Sequence, residues 1–386
     1  GAILAGFTAD VEFDVVDTAN LVAAEVAGSG YGSGSLDEAN DLVVSGGDVD
    51  TAAAAAIQQI SEYNETGSAY EITDNAAAVI SAGDSVIEDG GVTRVEVTGD
   101  ASAAQGVDLN AYSANVDFDV RDTAENIADN SGSLGKAEEV FVVSGGDPVD
   151  VAEAQAIQGL AGYQTGASEY EIEDNSAAII SATDSVLANG NIHVDVTNTV
   201  GASDGAMLAS FTADVEFDVA DTAANLAAQV ASGVAQGYGP DSLEDADSVF
   251  VESGAAVTAA QAESVQDLLN YSGGDIDISD TAAALISAGD HVLNVNGVDV
   301  VTVNDGATTA QQGAMLAGFT ADVQFDVADD VGALKSVMGT NDPASYLTEA
   351  NSITVNDGTG SSVVNASDGA ILAGFTADVE FDVVDT

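Results

Sequence analysis

The chain has 386 residues, of which 46% are apolar but only 5% aromatic, with no Trp, so a core must be built from Ala, Val, Ile and Leu. Four Lys+Arg stand against 66 Asp+Glu, a formal net charge of -62, which excludes a nucleic-acid partner because phosphate neutralisation needs a basic surface. The same charge opposes anionic membranes, no run reaches the roughly 20 apolar residues of a direct membrane span, and the absence of Cys excludes disulfides and thiolate metal sites.

The first predicted element is a strand within the phrase Phe-Thr-Ala-Asp-Val-Glu-Phe-Asp-Val-Val-Asp-Thr, Phe7 to Thr18. Val11, Phe13 and Val15 alternate with Glu12 and Asp14, the period-2 pattern of a half-buried strand. Asp17-Thr18 then offers side-chain oxygens to the free N–H groups of a following helix. A Gly-rich connector at Gly28 to Gly34 precedes a second recurrent phrase with apolar residues three apart, Leu36, Ala39 and Leu42, which leads into the next strand. Further strand-like runs come at Leu42 to Val44, Tyr70 to Ile72 and Val95 to Val97.

The grammar then repeats. A degenerate copy of the phrase at Asn115 to Thr123 leads to Leu134, Ala137 and Val140, and to strands at Val140 to Val143, Tyr170 to Ile172 and Ile192 to Val196. The copy at Phe211 to Thr222 is followed by an Ala-rich run with Leu226 and Val230 at helical spacing, the connector Gly233 to Gly239, and strands at Val249 to Val251, Ile276 to Ile278 and Val300 to Val303. A copy at Phe319 to Asp330 is followed only by Ile353 to Val355 before the phrase returns at Phe375 to Thr386. The anchors Phe13, Phe118, Phe217, Phe325 and Phe381 are thus 105, 99, 108 and 56 residues apart. Supra-repeats fall at about 9–113, 114–212, 213–320 and a short 321–376, with 377–386 opening another copy.

Strand, cap, short helix and strand at about 26 residues predict an α/β repeat, a right-handed βα solenoid of stacked parallel strands running through 1–386 as one segment. Tandem β-sandwich modules and an all-β helix are the alternatives. Gly1 to Thr18 is identical to Gly369 to Thr386, so the expectation is head-to-tail continuation, in a longer chain or by self-association into a filament, with a period of 368 residues.

Outward acids recur at Glu12, Asp14, Asp117, Asp119, Glu216, Asp218, Asp326, Glu380 and Asp382. Stacked in register they would repel unless cations bridge them, and calcium accepts irregular sets of oxygens. The candidate metal residues are Asp14, Asp17, Asp119, Asp122, Asp174, Asp218, Asp221 and Asp280, with divalent cations as partners. His193 and His291, the only histidines, have no third ligand at metal spacing and read as surface residues. Nothing resembles a nucleophile–base arrangement or a phosphate loop, so a non-enzyme is expected. Asn64, Asn270 and Asn365 match the N-glycosylation pattern.

The phrases Asp221 to Leu226 and Ile278 to Asp290 resemble repeats of giant acidic cell-surface and secreted proteins of aquatic bacteria, of adhesin or surface-filament type. That resemblance covers essentially the whole chain. It implies an extracellular, calcium-dependent repeat protein serving as fibre, filament, sheath or adhesin stalk, with a calcium-dependent glycan- or protein-binding surface module as the alternative. The glycine-rich nonapeptide region common in such proteins is missing from this sequence.

Overall fold

The computed structural model describes residues 11–28, 36–236, 243–337, 347, 349–356, 363–374 and 378–383. The first ten residues, most of the connector Gly28 to Gly34, the last three residues of the connector Gly233 to Gly239, Pro240, Pro343 and parts of the last phrase lie outside them, while 233–236 continue the helix Ala223–Gln236. The chain forms two compact units. One comprises Gly1–Asp174, Ser181–Asp195 and Thr212–Asp214, the other Asn175–Ile180, Val196–Phe211 and Val215–Thr386.

In the first unit, the strands Asp14–Asp17, Asp41–Val49, Ala69–Asp74, Val92–Val97 and Val116–Asp117 pair in sequence order, with every pairing parallel. Short helices such as Thr51–Gln58, Ala76–Ala82 and Ala103–Ala111 lie between them. The second unit repeats the plan: Asp218–Thr222, Ser248–Glu252 and Tyr271–Gly274 form one parallel sheet, and Ile276–Asp280, Val298–Val303 and Val323–Gln324 another.

The architecture is mixed α/β, and it corrects the expected solenoid, as well as the sandwich and all-β alternatives. Among the described residues the strands are short and divided among separate sheets of two to five members, with no long continuous stack. The breaks fall at the anchor phrases. Each described anchor phrase breaks at or beside its Phe, giving Val116–Asp117 and Val120–Asp122, Val215–Glu216 and Asp218–Thr222, or Val323–Gln324 and Asp326–Asp329. At the break the Phe carbonyl leaves the ladder and accepts an N–H from a following turn: Glu138 to Phe118, Asp247 to Phe217 and Asn351 to Phe325, at 2.8–2.9 Å. Other ladders slip by a bulge: Tyr70 pairs with Val92 but Glu71 with Arg94, which leaves Thr93 over.

Phe118, Phe217 and Phe325 are each 2% exposed, whereas Phe13 is half-buried. Each buried ring packs on a helical glycine, Gly106, Gly205 or Gly313, whose added Cβ would meet a neighbouring side chain at 2.7–2.8 Å. Tyr70, Tyr112 and Tyr170 are buried as well, and the rest of the interior is aliphatic: Leu42, Ile57, Ile72, Leu109, Val120 and Ile127 in one unit, and Val219, Leu226, Val249, Leu285 and Val327 in the other, are all fully enclosed. The residues three apart, Leu36-Ala39-Leu42, Leu134-Ala137-Val140 and Leu243-Ala246-Val249, are buried as expected. Their backbone forms turns, preceded in one copy by a 3-10 turn at Ser131–Ser133.

Candidate functional site

The predicted metal residues occupy two kinds of position. The Asp-Thr and Asp-Asn dipeptides stand at the end of a strand and the start of a helix. The expected cap fails at Asp17-Thr18, whose helix has no side-chain cap because the Thr18 hydroxyl donates to Asn20 instead, but in the later copies the two side chains divide the capping between them. Thr222 and Thr281 accept the N–H of the third helical residue of their own helix, Asn225 at 3.3 Å and Ala284 at 3.2 Å. The adjacent Asp reaches instead to a helix earlier in the chain. Asp221 Oδ2 accepts Ala202 N–H at 3.0 Å, 19 residues away, and Asp122 Oδ2 accepts Ala103 N–H at 2.9 Å over the same interval. Asp280 takes Ala259 N–H at 3.0 Å, Asp174 takes Val151 at 3.2 Å, and Asp74 takes Thr51 at 3.2 Å.

Every one of these donors is the first residue of its helix. A helix leaves its first N–H groups without intrahelical partners, and an anion there also meets the positive end of the helix dipole. The same device recurs at Asp329, which takes Ala310 N–H at 3.0 Å, and at Asp305, which takes Ala282 at 3.1 Å; Asn198 replaces it for Ser176 at 2.8 Å. Sequence reasoning missed Asp74, Asp305 and Asp329. The signal that finds them is an acid, or Asn, at the end of a strand or two residues past it, about 19 to 23 residues after a helix start.

The second carboxylate oxygen is engaged too. Asp221 Oδ1 accepts Thr222 N–H and the Asn225 side-chain amide, both at 2.7 Å, and Asp122 Oδ1 does the same with Thr123 and Asn126, at 2.9 and 2.8 Å. Three donors on one carboxylate leave little room for a cation among its roughly four lone-pair sites. Burial pushes the Asp122 carboxyl upward, but the Asn126 amide and the Ala103 and Thr123 N–H groups outweigh it and hold the group below its ordinary range. Asp74 is held low in the same way, by the Thr51 hydroxyl and N–H and by Asn75 against the opposing burial.

The other candidates face outward. Asp14 is exposed and pairs in register with Asp41; Asp17 accepts Thr18 N–H at 2.9 Å; Asp119 accepts Glu139 N–H at 3.0 Å. Asp218 accepts the Ser248 hydroxyl at 2.6 Å, as Asp326 does that of Ser352. Ser and Arg thus alternate with acids across the ladders: Glu71 lies in register with Arg94, whose guanidinium also meets Glu96 at 3.0 Å and Asp117. Among the described residues, no group of three or more His, Cys, Asp or Glu side chains gathers as a metal cage.

The basic residues are all engaged with acceptors. Beside Arg94, Arg121 binds Asp100 at 2.5 Å and lies over the Phe141 ring, 4.4 Å from its centroid. Lys136 donates to the Tyr112 carbonyl at 2.5 Å and Lys335 meets Asp368 at 2.7 Å. His291 is exposed, 3.6 Å from Glu263, and His193 lines an acid-rimmed cavity of about 370 Å³ with Glu169, Glu171 and Asp214. The three glycosylation-pattern amides are used internally: Asn64 binds Asp41, Asn270 the Leu243 and Ala246 carbonyls, and Asn365 Asp368. Among the described residues no helix is long and apolar enough to cross a membrane. No known protein-family model matches the chain, and no curated protein matches it.

Proposed function

We propose that this chain is a structural, non-catalytic repeat segment of an extracellular surface fibre, sheath or adhesin stalk, that it self-associates or continues within a longer chain, and that cations, calcium among them, screen its outward carboxylates. One observation carries the reading: the long-range Asp cap, which recurs from Asp74 to Asp329 at one helix start after another. A device repeated with every unit serves the repetition itself, whereas a catalytic centre is usually built once. The charge of -62 supports the cation requirement, since self-repulsion of that size weakens a compact state unless it is screened.

The test compares thermal unfolding in NaCl and in CaCl2 at matched ionic strength, with chelation as the return arm. A calcium-specific rise in Tm supports bridged outward pairs such as Asp14 and Asp41; equal curves limit the cation role to bulk screening. Location is tested separately, by antibody labelling of intact cells that make the protein. Labelling only after lysis would overturn the surface assignment.

A further inference from the structure

Phe250 is 48% exposed on the outward face of the strand Ser248–Glu252, between the buried Val249 and Val251. Its in-register neighbours are Ala220 on one side and Gly273 on the other, so no long side chain covers the ring. The chain holds its own counterpart of this position. Val120-Arg121-Asp122 corresponds to Val219-Ala220-Asp221, and Val140-Phe141-Val142 to Val249-Phe250-Val251. Arg121 pairs in register with Phe141, and its guanidinium covers that ring at 4.4 Å. In the later repeat the aromatic remains, but Ala220 stands where the cation was.

The surroundings of Phe250 favour the same chemistry. Residues two apart on a strand share a face, which puts Glu252 on the Phe250 side, and Asp218 lies beside Ser248 at the other end of that side. Both acids are exposed. A guanidinium over the ring would therefore have carboxylates at both ends, as Arg121 has Asp100. Arg stacks on aromatic faces while keeping its donors in the ring plane free for carboxylates.

We infer that Phe250, with Asp218 and Glu252, is a docking site for an arginine side chain of a basic partner protein. A second copy of this chain is a poor source, because its four Lys and Arg all have acceptors within the chain.

The experiment uses the whole chain and a fluorescein-labelled hexa-arginine peptide, with anisotropy read at about 0.15 and 0.5 M NaCl to separate general charge attraction from ring stacking. Phe250→Ala is expected to weaken binding about five-fold at the higher salt, Phe250→Trp to retain it, and hexa-lysine to bind less tightly than hexa-arginine. Ala220→Arg should close the site from within and weaken binding to a similar degree. Arg121→Ala should uncover Phe141 and add a second class of site. Circular dichroism checks that each variant is folded. Equal affinity of the parent, Phe250→Ala and Ala220→Arg overturns the proposal in favour of diffuse charge attraction. Concentration-dependent dimerisation of the parent alone, lost in Phe250→Ala, overturns it in favour of a second copy.

Discussion

The Ala202 amide donates to Asp221 Oδ2 at 3.0 Å across 19 residues. That single bond ties the start of one helix to the strand end that launches the next. Because Asp221 also receives Thr222 and Asn225 on its other oxygen, one side chain fixes three donors from three elements.

Asp221→Ala is expected to cost about 2 kcal/mol, since it leaves a helix N–H without its charged acceptor. Asp221→Asn keeps one acceptor oxygen and should lose about half as much. The local readout is hydrogen exchange at Ala202, whose protection should fall in both variants. Unchanged exchange at that amide would show that the bond does not hold the helix start in place.

Acid should act through the same caps. The Asp74 and Asp122 carboxyls lie below their ordinary range in the folded protein, so their stabilisation is present above the unfolded value, about 3.9, and is lost as pH falls through the lower folded values. Protonating exposed acids also relieves self-repulsion, which acts in the opposite direction. At low salt, stability is therefore expected to rise on acidification from pH 7 to about 4.5 and then fall; near 1 M NaCl the rise should disappear and the fall should remain. Urea midpoints across pH at both salts check this.

Gly205 lies in a helix where Ala would ordinarily gain about 1 kcal/mol. Its added Cβ, however, would sit 2.8 Å from Val219 Cγ2 and 3.4 Å from Phe217 Cε2. Overpacking of that kind costs about 1–3 kcal/mol, so Gly205→Ala should be net destabilising by about 1 kcal/mol. Gly132→Ala, with open space around its Cβ, is the control and should be neutral or slightly stabilising.

Phe217 and Phe250 separate burial from residue type within one unit. At 2% exposure, Phe217→Ala should cost about 3–5 kcal/mol. Phe250→Ala, at 48% exposure, should cost under about 1 kcal/mol. Comparable losses in chemical denaturation would mean that Phe250 is part of the core.

Much of the local structure is legible in single phrases. Val11-Glu12-Phe13-Asp14-Val15 reads as an alternating strand, although the assigned strand starts at Asp14 and Phe13 is only half-buried. Thr123, Thr222 and Thr281 read as N-caps and are N-caps. The sheet arrangement was not legible, because a long ladder and a set of short ones share the same alternation. At the breaks beside Phe118, Phe217 and Phe325 the Phe carbonyl accepts an N–H from a turn 20 to 30 residues further on, a partner that no local pattern names.

What this sequence determined alone is composition and rhythm: an aliphatic interior, parallel strand–helix units and an acidic exterior. These follow from patterns within a few residues and from the balance of charge. Only the tertiary structure decided which helix an Asp serves, which Phe is covered and where a sheet ends. Asp221 and Ala202 are 19 residues apart, and Arg121 and Phe141 are brought together by strand pairing. No local propensity reaches across that distance; the partners are chosen by the register in which the strands pair.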